Sequence, residues 1–257
     1  MASKVEKTGP ETRVDGFLGG KLAIEQPVSG YRAGADAVML AAAVPARTGD
    51  RVLEPGCGAG AVSLCLGHRV PGLALTGIEL QPEYAALARQ NAARNAIDLR
   101  VVTADLTDLP AGLRAETFDL AMMNPPYFDG RDTASPGQGR DLARRESLSL
   151  TAWADATLRR LRPGGRLIMI HRAARMADLL AAVQTRAGAI RILPLTARQG
   201  HPAGRVILGA VKGARGALQL LSPLVLHAAE RHLRDGEDLS PQASAILRDG
   251  APLNLWA

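Results

Sequence analysis

An alternation of two patterns constrains this chain most. Short apolar runs (RVLEPG, LALTGIEL, LRVVTADL, FDLAMMNPPYF and GRLIMIH) recur along the sequence. Between them lie segments with helical periodicity, such as AVSLCLGHRV and PEYAALARQNAARNA. Strands separated by helices of about 10 to 15 residues cannot close as hairpins and return in the same direction, which predicts βαβ units and a parallel sheet. Several runs are apolar without alternation, as expected when helices cover both faces of a sheet. Pro82 is suited to the first turn of its helix. Asp36 is expected to cap the helix AVMLAAAV, which stops at Pro45. RILPLTA and GRVILGAV read as a closing pair of strands, and GFLGGKLAIEQPVSGYRAG as a short strand or hairpin with glycine turns.

The domain expectation is a polar tail over residues 1–15 and one domain over 16–257. That domain divides into an N-terminal extension (16–50), an α/β core (51–215) and a C-terminal segment (216–257). Hydrophobic residues make up 47% of the chain, which excludes a disordered protein. Aromatic residues make up only 3%, so the core must be built from Ala, Leu, Val and Ile. No apolar run approaches the ~18 to 20 residues needed to span a bilayer, and the polar N-terminus has no signal-peptide apolar region. A cytoplasmic protein without a membrane partner is therefore expected. Cys57 and Cys65 have neither metal-ligand nor CxxC spacing and are expected to be two small buried or half-buried thiols; no metal site is expected.

The formal net charge is +6, and it is unevenly spread. From Leu179 to Ala229 there is no acidic residue, while Arg186, Arg191, Arg198, Arg205, Lys212 and Arg215 lie in that stretch. Such a stripe is the footprint of a phosphate-rich partner, or a solvated face of an arginine-rich chain.

Glu54-Pro55-Gly56-Cys57-Gly58-Ala59-Gly60 follows a predicted strand and opens a helix. Glycines permit a tight turn and a close approach of backbone to ligand. The spacing is GxGxG after an acid, whereas dinucleotide-binding dehydrogenases use GxGxxG. Glu79, at the end of the second strand of the core, is suited to accept from both hydroxyls of a ribose. Asp105, at the end of the next, is suited to meet an adenine amino group. Leu80 and Leu106 are their neighbours on the same rim.

Asn124-Pro125-Pro126-Tyr127, followed by Phe128, ends a further strand at the edge where ligands bind in open α/β sheets. An exocyclic amino or amide nitrogen is a poor nucleophile, because its lone pair is delocalised. The Asn124 side-chain oxygen and the Pro125 carbonyl can each accept one N–H bond. Together they favour a pyramidal nitrogen, which is electrostatic preorganisation. The prolines stiffen the carbonyl, and Tyr127 can stack on a flat substrate. The polar stretch from Asp129 to Ser147 follows directly, as a long loop at the ligand edge.

The pattern E/D-x-G-x-G-x-G resembles the first motif of class I S-adenosylmethionine (SAM)-dependent methyltransferases. Tyr31-Arg32-Ala33-Gly34-Ala35-Asp36 resembles the segment that lies beside the methionine moiety in amino-methyltransferases. N/D-P-P-Y/F/W resembles the catalytic motif of enzymes acting on adenine N6, cytosine N4, guanine N2 or protein glutamine. GYRAGADAVMLAAAV, LEPGCGAG, NPPYF, RVILGAVKGARGAL and PLVLH occur in order. Over residues 16 to about 250 the chain looks like the bacterial tRNA-1-valine adenine-37 N6-methyltransferase family. One departure is Ala35, where many members carry Thr.

The resemblance implies a Rossmann-like α/β fold with a mostly parallel seven-stranded sheet, an antiparallel last strand and helices on both faces. It implies SAM as cofactor, held by Tyr31, Gly34, Asp36, Glu54, Gly56, Gly58, Gly60, Glu79, Leu80, Asp105, Leu106 and Asn124. Asn124, Pro125, Pro126 and Tyr127 would be catalytic. RNA, with tRNA foremost, would meet Phe128, Arg131, Arg140, Arg144, Arg145, Arg198 and Arg205. The implied reaction is N6-methylation of adenine in tRNA. Guanine N2 of rRNA, protein glutamine, and SAM or RNA binding without turnover stay open as alternatives.

Overall fold

The computed structural model describes residues 11–126, 148–229 and 238–256. The core opens with the strand β3 (Arg51–Pro55), after a hairpin of β1 (Thr12–Phe17) and β2 (Leu22–Pro27) and the helix α1 (Ala35–Ala43). Strand and helix then alternate through α2 (Ala61–Arg69), β4 (Ala74–Glu79), α3 (Pro82–Arg94), β5 (Leu99–Thr103), α4 (Ala111–Ala115) and β6 (Phe118–Met123). After residues 127–147 come α5 (Leu150–Arg160), β7 (Leu161–Arg172), α6 (Met176–Val183), β8 (Ala187–Thr196) and β9 (Ala203–Lys212). The two-residue strands β10 (Gln219–Leu220) and β11 (Leu224–Val225) follow, and α7 (Pro241–Asp249) is the last helix.

The long strands stand in the order β8-β9-β7-β6-β3-β4-β5. β3 to β7 pair in parallel, and β9 lies antiparallel between β7 and β8. This is the seven-stranded arrangement expected, extended at the β8 edge by β10 and β11. Alternate side chains divide between two cores. Leu120, Met122, Ile168 and Ile170 face α1, α2 and α7. Ala121, Met123, Leu167 and Met169 face α5 and α6. Both cysteines are buried.

Three local expectations need correction. The strand β1 begins at Thr12, inside the stretch assigned to a tail. Its register with β2 is fixed by six paired residues and by the Thr12 hydroxyl, which donates to Glu25 over 2.5 Å. The N-cap of α1 is Gly34 rather than Asp36, which falls in the first turn. The basic stripe is not one surface. Arg186 precedes β8 and Arg198 follows it, so the ten-residue strand holds them at opposite edges of the sheet, about 30 Å apart.

Two helices that sequence periodicity did not mark have clear starts. Ser149 and Ser240 cap α5 and α7, each hydroxyl accepting the N–H three residues on at 3.2 Å. α7 also has Pro241 in its first turn and ends at Gly250, whose φ of 75° is left-handed.

Candidate active site

The carboxyl ends of β3, β4, β5 and β6 bring Gly56, Glu79, Asp105 and Asn124 to one edge. Gly56, Gly58 and Gly60 have φ of 67°, 54° and 88°, a region costly for any residue with a Cβ. The turn is anchored from below, because the N–H groups of Gly56 and Cys57 both donate to the carbonyl of Ile78, at 2.7 and 3.0 Å. Gly77 makes that approach possible. A Cβ there would stand 2.7 Å from the Cys57 Sγ.

Glu79 is 1% exposed and binds the loop from the side. Its Oε2 accepts from the Gly58 N–H at 2.9 Å and its Oε1 from the Gln81 N–H at 3.0 Å. Each carboxylate oxygen has a second lone pair, and Glu79 lines a cleft of about 240 Å³. Gly56, Leu80, Asp105, Leu106 and Trp153 line it too. One oxygen of Asp105 is occupied locally, by the N–H and hydroxyl of Thr107 at 2.8 and 2.7 Å.

Glu54 has a different position from the one expected. Its Oε2 accepts from the Ser63 N–H at 3.0 Å and from the Ser63 hydroxyl, so it supports the start of α2 and does not line the cleft. Burial pushes its carboxyl up to about 8, against the opposing pull of the Ser63 bonds; the nearby Glu79 charge adds to the rise.

Asn124 leaves β6 at the same edge, followed by a buried Pro125. Its Nδ2 donates to the Tyr31 hydroxyl at 3.1 Å, across 93 residues of sequence. The Asp36 carboxylate accepts from the Arg205 Nε of β9 at 2.9 Å. Arg205 stands opposite Arg172 at the carboxyl end of β7, on the edge that also bears Asn124. Arg198 is on that edge too, but its side chain is only 12% exposed. It pairs with Asp238 at 2.8 Å and donates to the Ala229 carbonyl. Tyr127, Phe128, Arg131, Arg140, Arg144 and Arg145 lie outside the described residues.

Sequence reasoning missed the pair Asn91 and Asn95, which joins three parts of the site. The Asn91 amide bonds the N–H and carbonyl of Glu25 in β2 and also the carbonyl of Ala59 in the glycine loop. Asn95 does the same for both backbone groups of Ala23. The signal was present at Asn91, because an asparagine inside an alanine-rich helix is a poor choice unless its side chain bonds elsewhere; Asn95, the C-cap of α3, gave none.

A family model, the methyltransferase small domain, matches residues 32–190. A tRNA1(Val) (adenine(37)-N6)-methyltransferase of Dickeya chrysanthemi is 30% identical over 218 residues, which cover 83% of this chain and 85% of that one. Among solved structures, an Agrobacterium tumefaciens protein described as a predicted O-methyltransferase superposes with a TM-score of 0.70 at 27% identity. The match covers 86% of this chain and 100% of that one. TrmN from Thermus thermophilus superposes with a TM-score of 0.50 at 23% identity, over 69% of this chain and 48% of that one, a likeness of fold.

The left-handed glycine turn suits a cofactor whose methionine end approaches the backbone closely, and the Glu79 carboxylate suits a ribose diol. SAM fits this donor set. With that fit, the matched model and the strand order, the chain belongs to the methyltransferase small-domain family, with the tRNA1(Val) (adenine(37)-N6)-methyltransferases among its relatives, and is a SAM-dependent methyltransferase.

Proposed function

We propose that this protein methylates the exocyclic N6 of an adenine in tRNA. The observation that carries the reading is the position of Asn124-Pro125-Pro126 at the end of β6, on the edge that also bears the glycine turn and Glu79. SAM supplies an electrophilic methyl group on a sulfonium. In this reading Gly56, Gly58 and Gly60 leave room for its methionine end. Glu79 binds the ribose hydroxyls and Asp105 the adenine amino group. The Asn124 Oδ1 and the Pro125 carbonyl accept the two hydrogens of the target amine, which aims its lone pair outward. One of those protons passes to solvent after transfer. Tyr127 stacks on the target base, which must leave its own stack to arrive.

The partner is read as tRNA because of the relatives' activity and because Arg205 lies on the rim beside Asp36, in a half-buried pair that solvent reaches and a phosphate can replace. No helix among the described residues is long and apolar enough to cross a membrane, and the proposed place of work is the cytoplasm.

The test is methyl transfer from labelled SAM to total tRNA and, in parallel, to a bacterial protein extract, read by nucleoside mass spectrometry. N6-methyladenosine in tRNA is expected. Label in guanosine or in protein would overturn the substrate.

A further inference from the structure

Tyr31 is exposed to 42%, the kind of position where packing gives a large aromatic no reason to be. Yet the segment that carries it is fastened on every side. Behind it, the Tyr84 hydroxyl donates to the Tyr31 carbonyl at 3.1 Å. Two residues ahead, the buried Gln26 clamps Ala33 with both ends of its amide, at 2.8 and 3.2 Å. Asp15 accepts from Gln26 at 2.9 Å and from Arg32 at 2.8 Å through the same oxygen. The hairpin of β1 and β2 thus holds the backbone at Tyr31 rigidly, while its ring reaches over the glycine turn to Asn124. A Cβ on Gly58 would be 3.9 Å from the ring.

An asparagine amide has a donor end and an acceptor end of nearly the same shape, and its last torsion is broad and two-fold. The proposed chemistry tolerates only one of the two orientations. An oxygen turned to the target amine accepts its hydrogen; an NH2 turned there presents donor to donor. In the structure the Nδ2 donates to the Tyr31 hydroxyl, which leaves Oδ1 as the other end of the amide.

We infer that Tyr31 is a positioning residue whose hydroxyl, 3.1 Å from the Asn124 Nδ2, accepts from that end of the amide and so holds the Oδ1 end toward the substrate nitrogen. This rests on the catalytic reading of Asn124 above, and it assigns the N-terminal hairpin a part in turnover, as the support of that hydroxyl.

Two measurements test it, one of them independent of any substrate. In the protein alone, the side-chain amide signals of Asn124, identified by their loss in Asn124→Asp, are expected to move upfield in Tyr31→Phe. Unmoved signals would show that the bond is absent in solution and would overturn the inference. In turnover, Tyr31→Phe, which keeps the ring, is expected to lower kcat about tenfold, the worth of one such bond, with the Tm changed little and any rise in the Kd for SAM smaller than the fall in kcat. Aspartate has oxygen at both ends and needs no orienting. In an Asn124→Asp background the same Tyr31→Phe change is therefore expected to cost less than about twofold. An equal loss in both backgrounds, or a raised Kd for SAM with kcat intact, would overturn the positioning role. If no methyl acceptor is found at all, the catalytic reading fails, while the amide signals still report on the bond.

Discussion

The active edge of the sheet has two halves that are built differently. Over β3, β4 and β5 the buried acids bind the protein's own backbone: Glu79 holds Gly58 and Gln81, and Glu54 holds Ser63. Over β8 and β9 the ions are arginines, and their partners are side-chain carboxylates brought from elsewhere: Asp36 for Arg205 and Asp238 for Arg198. The first half is held by buried bonds from acid side chains to backbone N–H groups. The second holds one buried pair, Arg198–Asp238, and one that solvent reaches, Arg205–Asp36. A small cofactor and, on the proposed function, a large anionic substrate call for these two solutions respectively.

Removing Glu79 should break the first half most severely. Glu79→Ala leaves two N–H groups under the loop without their acceptor, and SAM affinity is expected to fall about 100-fold by calorimetry, with tRNA binding nearly unchanged. A fall in both affinities together would mean that the halves are not separate.

The second half should itself divide by burial. Arg198→Ala removes the guanidinium from Asp238, whose side chain is 7% exposed and keeps His227 at 2.9 Å, and is expected to cost about 1.5–3 kcal/mol, seen as a Tm lower by several degrees. Arg205→Ala breaks a pair that solvent already reaches and should leave Tm within about 2 °C. Its effect should appear in the salt dependence of tRNA binding, as a slope of log K against log salt that is shallower by about 1. A large loss of stability in Arg205→Ala would make that arginine structural.

A pH-dependent effect sharpens the comparison from within the first half. Glu54 is protonated more readily folded than unfolded, so the fold binds the extra proton. Its stabilising contribution is complete below about 4.5 and is lost as pH rises to about 8. Glu54→Gln removes that slope and is expected to raise Tm at pH 8 by several degrees relative to the parent, with no gain at pH 4.5. A parallel pH profile in the variant would show that another group carries the dependence.

Most of this architecture was legible because the residues that dictate it are local. A strand such as FDLAMM, a turn such as GCGAG and the prolines after Asn124 declare themselves within a few positions. What escaped depends on contacts distant in sequence. Gly77 reads as an ordinary strand residue until Cys57 is laid against it. Arg186 and Arg198 look like one stripe until β8 separates them. Tyr31 and Asn124 were each singled out, but 93 residues hide the bond between them. The Glu54 contact with Ser63 was hidden for a related reason. An acid before a glycine turn can point into the site or back to the following helix, and only the Ser63 partner decides which.

The insertion of β9 between β7 and β8 has a consequence for how the chain comes to be made. β7 and β8 run parallel without touching in the ladder, and every partner of β8 (β9, β10 and β11) is encoded after it. During synthesis, at about 5–20 residues per second, this apolar ten-residue strand waits with both edges bare until the residues from Ala203 onward emerge. Unpaired strand edges are templates for other chains. The same insertion that places Arg205 beside the active edge therefore makes the turn over residues 197–202 the point at which the second half of the sheet must begin to form.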